Sequence, residues 1–131
     1  MIVDTSAVLA ILYAESDADQ IAERVQDADS RSMSAATYFE AAIVADRHHS
    51  PISRRRFNDF IRESRIVIEP FTETHAMIAR EAYRDFGKGS GHPAQLNFGD
   101  CFAYALAKDT GEPLLFKGSD FSKTDVASAL D

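Results

Sequence analysis

The chain of 131 residues lacks several features that mark whole classes of protein. Its one cysteine, Cys101, excludes an internal disulfide, and we expect this thiol to be packed in an apolar, helix-like segment rather than catalytic. No apolar run approaches the roughly 20 residues that a membrane-spanning helix needs. The segment Met1–Asp4 has neither basic residues nor a long apolar stretch, so it does not resemble a signal peptide. Together these absences predict a soluble cytoplasmic protein.

Positive charge is also scarce, because 14 Lys and Arg residues face 21 Asp and Glu residues, for a net charge of −7. Contacts to phosphates need Lys and Arg, so the charge alone disfavours nucleic-acid binding. Two features weaken this objection: some acids could bind cations, and positive charge is clustered at Arg54–Arg56, with Arg62 and Arg65 following. This cluster fits either an RNA contact or a solvated helix face, and the acidic balance also fits a basic partner protein.

Short apolar runs alternate with amphipathic segments along the whole chain. The runs predict strands at Ile2–Val3, Arg31–Met33, Ile66–Ile68 and Pro113–Phe116, and a fifth at Val126–Leu130. The amphipathic segments predict helices at Ala7–Tyr13, Ala35–His48 and Phe98–Lys108, and others that start near Asp17, near Ser53 and at Thr72 or Thr74.

Local signals refine this pattern. Ser6 or Thr5 is expected to cap the first helix, Ser34 is expected to cap the third, and Gly87–Asn97 is the one clear loop. The alternation of strands and helices predicts an α/β fold, with a central parallel sheet flanked by helices on both faces. The length fits a single domain over residues 1–131. Periodicity does not fix the order of the strands.

Four acidic residues stand where carboxylates need an explanation. Asp4 ends the first predicted strand and Asp120 follows the fourth, and open α/β sheets place their working groups beyond the carboxyl ends of strands. Glu40 and Asp100 are embedded in otherwise apolar helical segments, where a lone buried carboxylate is costly. Capping, exposure or an Arg partner would explain any one of the four. All four together indicate a candidate active site.

Clustered carboxylates repel each other unless a cation neutralises them. Oxygen ligands favour Mg²⁺ or Mn²⁺ over zinc. The adjacent His48 and His49 are poor zinc ligands, because neighbours on a helix point to different sides and no cysteine lies near them. A carboxylate-bound Mg²⁺ orients water and offsets charge on a phosphodiester as it is cleaved. The cluster, if it forms, therefore predicts phosphodiester hydrolysis.

Four blocks of sequence, taken in order, carry a family resemblance. The blocks are Ile2–Ala7, the mid-chain Glu40, Gly99–Asp100 with the small residues after it, and Leu114–Asp125. Over nearly the whole chain they resemble the PIN-domain family, and within it the VapC-type toxins. The resemblance implies a PIN-like fold and a Mg²⁺- or Mn²⁺-dependent endoribonuclease that cleaves tRNA, rRNA or mRNA.

The resemblance also implies roles for individual residues. Asp4 and Asp100 match the principal metal ligands, and Glu40 matches the third acid. Thr5 or Ser6 would support these ligands from the neighbouring positions.

The fourth acid of the family corresponds less closely. Many members carry it directly after the strand, where this chain has Gly118. Asp120 is the expected catalytic and metal-binding substitute, and Asp125 is a weaker one.

The family further implies two protein partners. One is a cognate VapB-type antitoxin whose C-terminal segment covers the active-site groove, and the other is a second copy of the chain in a homodimer. Leu9, Leu12 and Tyr13 on the early helices could bind either partner or simply pack in the core.

Other function classes fit the sequence less well. A haloacid-dehalogenase-type phosphatase needs a second Asp two residues after the first, where this chain has Ser6. A receiver-type signalling domain needs an acidic pair at the first strand and an Asp after a middle strand, but Ile66–Ile68 is followed by Glu69 and Pro70. A non-catalytic PIN module that binds RNA or protein stays open as the alternative, and so does a DNA nuclease.

Overall fold

The computed structural model describes residues 1–47 and 49–131, and its elements alternate largely as predicted. The strands are β1 (Ile2–Val3), β2 (Ser32–Ser34), β3 (Val67–Glu69) and β4 (Leu114–Leu115). The helices are α1 (Thr5–Leu12), α2 (Ala18–Asp27), α3 (Ala35–Asp46), α4 (Pro51–Glu63), α5 (Glu73–Phe86) and α6 (Asp100–Thr110), with a short 3₁₀ helix at Phe121–Lys123. Within the described ranges, no helix is long and apolar enough to cross a membrane.

The four strands form one parallel sheet in the order β3-β2-β1-β4. The chain steps outward from β1 to β2 and β3, and α5 and α6 then carry it back to the opposite edge for β4. The direction of winding therefore reverses between β1 and β4. In open α/β sheets this reversal opens a crevice at the carboxyl ends of the two strands.

Helices cover both faces of the sheet, which confirms the predicted α/β architecture. Side chains alternate along each short strand: Val3 and Leu115 face the core under α1 to α4, whereas Ile2 and Leu114 face the core under α5 and α6. All four side chains are fully buried. Burial on both faces explains why these strands are continuous apolar runs rather than alternating ones.

The first helix begins earlier than predicted. The side chain of Asp4, rather than that of Thr5 or Ser6, caps α1 by accepting a hydrogen bond from the Ser6 backbone amide. The reason is that β1 passes into α1 without a loop, so the residue that ends the strand is also the first available cap.

Other boundaries also differ from the sequence-based expectations, and α6 covers Asp100–Thr110 rather than Phe98–Lys108. Helix α4 starts at Pro51 with Ser50 as its cap, because proline is favoured in the first turn of a helix. The predicted fifth strand at Val126–Leu130 is wrong: the segment forms a single bridge between Ser128 and Leu114. Strand β4 has only two residues, so it offers too short an edge for the segment to pair with over several residues.

Several side chains singled out in the sequence have structural roles. Cys101 is buried, as expected for a packed residue. Burial, and to a lesser extent the charge of Asp100, raises the pKa of its thiol to about 11. In the arginine cluster, Arg56 donates to the Leu12 carbonyl oxygen at 2.8 Å. Arg54 forms an exposed ion pair with Asp46. His48 lies outside the described residues.

The cap of α5 gives a test of local stability. Thr72 Oγ1 accepts a hydrogen bond from the His75 backbone amide at 3.1 Å, so Thr72→Ala should lower the free energy of unfolding by about 1 kcal/mol. Thr74→Ala is the matched control, because Thr74 is exposed within the same helical turn and its replacement should change stability by less than about 0.5 kcal/mol. Denaturant unfolding measures both values. Equal effects would contradict the capping role.

Candidate active site

One open cleft of about 570 Å³ brings together three of the four predicted acids. Asp4, Glu40 and Asp100 line it, and they come from the end of β1, from α3 and from the first turn of α6. The cleft lies beyond the carboxyl end of β1, where the sheet topology predicts a working site. Its other lining residues are Thr5, Ser6, Leu9, Phe39, Ile43, Val44, Arg47, Asn97, Phe98 and Phe102.

Asp4 is the most deeply placed of these acids, with 3% of its surface exposed. Its Oδ2 accepts hydrogen bonds from the Ser6 backbone amide at 3.0 Å and from Ser6 Oγ at 2.6 Å. Burial raises its pKa to about 7 against these bonds, and the charges of Asp100 and Glu40 raise it further. Within the described chain, no residue donates to Oδ1, which leaves one carboxylate oxygen for a ligand.

Ser6 links Asp4 to the neighbouring strand. The Lys117 backbone amide, just past β4, donates to Ser6 Oγ at 3.0 Å. Lys117 Nζ in turn lies 2.8 Å from Glu15 Oε2 and 3.3 Å from Asp17 Oδ1. The ends of β1 and β4 are thus tied together at the topological reversal, and the ammonium of Lys117 is engaged by acids outside the cleft.

Glu40 is held between a hydroxyl and a glycine. Thr5 Oγ1 donates to Glu40 Oε1 at 2.6 Å. A Cβ atom placed on Gly99 would overlap Glu40 Oε2, so the missing side chain is what allows α3 to bring this carboxylate against the start of α6. Gly99 has ordinary helical dihedrals, φ −66° and ψ −36°, so close approach rather than backbone conformation requires glycine there.

Asp100 is fixed by a reciprocal pair of hydrogen bonds with Asn97. The Asn97 amide donates to Asp100 Oδ2 at 3.0 Å, and the Asp100 amide donates to Asn97 Oδ1 at 2.8 Å. Burial raises the pKa of Asp100 to about 6; the Asn97 amide and Lys88 oppose this shift, while Asp120 and Glu40 add to it.

The fourth predicted acid, Asp120, stands apart from the other three. It is exposed beside the 3₁₀ helix and does not line the cleft, although its charge reaches Asp100. Gly118, which occupies the family's usual position, has φ +100°, where a side chain would strain the backbone. Asp125 is engaged elsewhere by Tyr104 Oη at 2.7 Å and Lys108 Nζ at 2.9 Å.

The donor chemistry of the cleft suits a hard divalent cation. Asp4, Glu40 and Asp100 offer only oxygen, and no described residue forms an ion pair with them. Within residues 1–47 and 49–131, no three His, Cys, Asp or Glu side chains form a ready-made metal cluster. The case for a cation therefore comes from charge and donor type rather than from a preformed coordination shell.

Sequence reasoning missed several residues that shape the cleft. Gly99 was part of a recognised block, but its steric role depends on a side chain far away in the sequence. Asn97 was missed because Asn-x-x-Asp departs from the usual Ser/Thr-x-x-Glu/Gln capping box, although the two residues form a reciprocal pair of hydrogen bonds. Phe39, Phe98 and Arg47 gave no signal, because the sequence does not indicate which face of a helix borders the cleft.

The close approach at Gly99 can be tested directly. In Gly99→Ala we expect the new Cβ to push the Glu40 carboxylate away and break its bond with Thr5, while the free energy of unfolding changes by no more than about 1 kcal/mol. A crystal structure and denaturant unfolding of the variant check the two points. Glu40→Ala is the reference for a cleft without this carboxylate. A variant structure with Glu40 still bonded to Thr5 would contradict the steric role.

The raised pKa of Asp4 predicts how stability depends on pH in metal-free protein. Between about pH 4 and pH 7 the folded state holds a proton that the unfolded chain has lost, so the free energy of unfolding should fall as pH rises through this window. Asp4→Asn should abolish most of the fall and raise stability above pH 7 by up to about 4 kcal/mol. Thermal unfolding in EDTA across the pH range measures this.

Two further variants control the pH experiment. Asp100→Asn should remove a smaller part of the fall in the free energy of unfolding. The part that it removes ends at about pH 6, because the pKa of Asp100 is about 6. Asp125→Asn should leave the fall in place, because the bonds from Tyr104 and Lys108 outweigh burial and hold the pKa of Asp125 below its usual value. A wild-type profile that is flat from pH 4 to pH 7 would show that burial does not raise the pKa of Asp4 as described above.

Comparisons with known proteins agree with this geometry. A PIN-domain family model matches residues 1–127. Ribonuclease VapC28 of Mycobacterium tuberculosis is 55% identical over 131 residues, which cover 100% of this chain and 98% of that protein. The crystal structure of M. tuberculosis VapC20, a sarcin–ricin loop cleaving toxin, has a TM-score of 0.74 at 15% identity and covers 96% of this chain and 95% of its own. A toxin–antitoxin complex from Klebsiella pneumoniae has a TM-score of 0.69 at 17% identity, with coverages of 92% and 89%. The resemblance noted in the sequence is confirmed: this chain belongs to the PIN-domain family and, within it, to the VapC ribonucleases.

Proposed function

We propose that this protein is a Mg²⁺- or Mn²⁺-dependent endoribonuclease that acts as the toxin of a toxin–antitoxin pair. The observation that carries the proposal is the meeting of Asp4, Glu40 and Asp100 in one open cleft without a cationic side chain paired to any of them. Structural carboxylates in proteins are normally paired or exposed, whereas perturbed carboxylates gathered in a cleft are typical of functional sites. The ribonuclease names of the relatives support the same activity.

We assign the roles from position and hydrogen bonding. Asp4 and Asp100 are the principal metal ligands, Glu40 is the third, and Asp120, which acts on Asp100 through its charge from outside the cleft, is the fourth acid. Ser6 fixes the orientation of Asp4 by binding its Oδ2. A Mg²⁺ or Mn²⁺ ion, when bound there, activates water and offsets charge on the phosphodiester during hydrolysis.

The other residues around the carboxylates keep this arrangement in place. Thr5 holds Glu40 through one oxygen, and the backbone amide of Asn97 holds Asp100 through one oxygen. Each acid therefore keeps its second oxygen outside these bonds. Fixed oxygen donors lower the cost of reorganisation when a cation and a phosphodiester arrive.

We also propose two protein partners and a location. The net charge of −7 and the acidic cleft suit a basic segment of a VapB-type antitoxin, and a structural neighbour is a toxin–antitoxin complex. The homodimer is proposed from the family resemblance, and the cytoplasmic location from the composition of the chain. Leu9 lines the cleft where such a segment would lie, whereas Leu12 is buried and packs in the core.

Cleavage of RNA by the purified, partner-free protein tests the activity. With Mg²⁺ or Mn²⁺ we expect discrete fragments of total RNA, and with EDTA we expect none. Asp4→Asn and Asp100→Asn should each reduce cleavage at least about 100-fold, because direct metal ligands matter more than their supporting residues, which contribute 10–100-fold. Asp120→Asn should cause a smaller loss, since its side chain stands outside the cleft.

Asp125→Asn is the matched control, because this acid is bound to Tyr104 and Lys108 away from the cleft and its loss should leave cleavage intact. Circular dichroism and thermal unfolding establish that each variant is folded. Cleavage that survives EDTA would contradict the metal-dependent mechanism. A folded, metal-binding protein that binds RNA or an antitoxin without cutting RNA would support the non-catalytic PIN module instead, and cleavage of DNA in preference to RNA would support a DNA nuclease.

A further inference from the structure

Two phenylalanines stand in solvent on the walls of the acidic cleft. Phe39 is 66% exposed and Phe98 is 76% exposed, and both line the cleft that holds the carboxylates. Each lies beside an acid in the sequence, since Phe39 precedes Glu40 and Phe98 lies two residues before Asp100. Large aromatic rings left in water at a site are typical of surfaces that bind a ligand.

Phe39 belongs to an exposed stripe along α3. Residues on a helix recur on one side every three to four positions, so Phe39, Ile43 and Arg47 lie in a row, and all three line the cleft. Glu40 is rotated by about 100° from Phe39, which lets it turn inward to Thr5 while the ring stays on the wall. The stripe thus combines flat apolar surface with a cationic side chain.

Phe98 is supported from behind by other aromatic rings. Its ring meets Phe102 edge-to-face, with centroids 4.8 Å apart and an interplanar angle of 78°. Phe102 meets Phe71 in the same way at 5.2 Å and 74°. Packing against Phe102 therefore holds the exposed Phe98 ring in a defined orientation.

We propose that Phe39 and Phe98, which line the cleft with the carboxylates, stack unpaired nucleobases of the substrate and are the residues through which this chain holds a single strand at the cleavage site. The inference rests on the proposed ribonuclease function and names the residues that confer its selectivity. Base–aromatic stacking is the usual way in which proteins hold single-stranded RNA. A duplex cannot use such platforms, because its base faces are already covered within the stack.

The cleft offers a cationic side chain as well as acidic ones to an occupant. Arg47 ends the α3 stripe and lines the cleft together with Phe39 and Phe98. A cationic side chain in the same row as an aromatic ring can bind a phosphate while the ring stacks on a base, as in proteins that hold single strands. A peptide would be served equally well by aliphatic walls, and that difference makes the proposal testable.

Binding to a short, mixed-sequence, single-stranded RNA, measured by fluorescence anisotropy in EDTA to prevent cleavage, tests the platforms. Phe39→Ala and Phe98→Ala should each weaken binding roughly 5- to 150-fold. Phe39→Leu and Phe98→Leu should weaken it nearly as much, since leucine keeps the apolar surface but cannot stack. Ile52→Ala is the matched control, because Ile52 is 70% exposed on α4 outside the cleft, and it should bind as the wild type does.

Tryptophan supplies a second, independent signal. The chain contains no tryptophan, so Phe39→Trp and Phe98→Trp each create a single fluorophore on one wall. Both variants should keep binding, and their fluorescence should be quenched by the single strand but not by a fully paired duplex of the same sequence. Equal quenching by the duplex would overturn the proposal.

Cleavage of the same RNA by the wild type with Mg²⁺ separates this inference from the function beneath it. Suppose that the wild type cleaves the RNA and that both alanine variants bind and cleave it equally well. The stacking role is then wrong, and the ribonuclease proposal stands. If leucine substitutes fully and only alanine weakens binding, the walls are a general apolar surface of the kind a protein partner uses, which also overturns the stacking role. If the wild type neither binds nor cleaves RNA, both proposals fail.

Discussion

The buried carboxylate of Asp4 is the constraint from which the rest of the site follows. It stands where β1 turns directly into α1, so its position is set by the central strand of the sheet and not by a loop. Its hydrogen bonds with Ser6, and the bond from the Lys117 amide to Ser6, join the ends of β1 and β4 at the point where the winding reverses. This short series of hydrogen bonds therefore caps α1 and holds the Asp4 carboxylate at the crevice between the two strand ends.

The other two acids reach this point because two helices approach each other closely. Helix α3 supplies Glu40 and the start of α6 supplies Asp100, and Gly99 removes the side chain that would separate them. Burial is the main reason that the pKa values of Asp4 and Asp100 are raised, and the charge of Glu40 adds to both shifts. The protein can bear the resulting loss of stability because apolar cores on both faces of the sheet stabilise the fold.

Much of the fold and part of the candidate site could be predicted from the sequence, for identifiable reasons. Strands such as Ile2–Val3 and acids such as Glu40 stand out against their immediate neighbours, and local contrast is what a sequence reveals. The strand order, the steric role of Gly99 and the distance of Asp120 from the cleft depend on contacts between distant segments. The capping role of Asp4 was missed because a residue that ends a strand is not expected to start a helix as well.

The repulsion among these acids has a consequence over evolutionary time. A group of like charges held together lowers the stability of the protein that carries it, and neutral drift is free to remove it in any lineage that no longer needs it. A neutral residue of similar shape in place of Asp4 would then make the metal-free protein more stable. A chain that carries Asp4, Glu40 and Asp100 in one cleft therefore keeps them at a cost to its own stability.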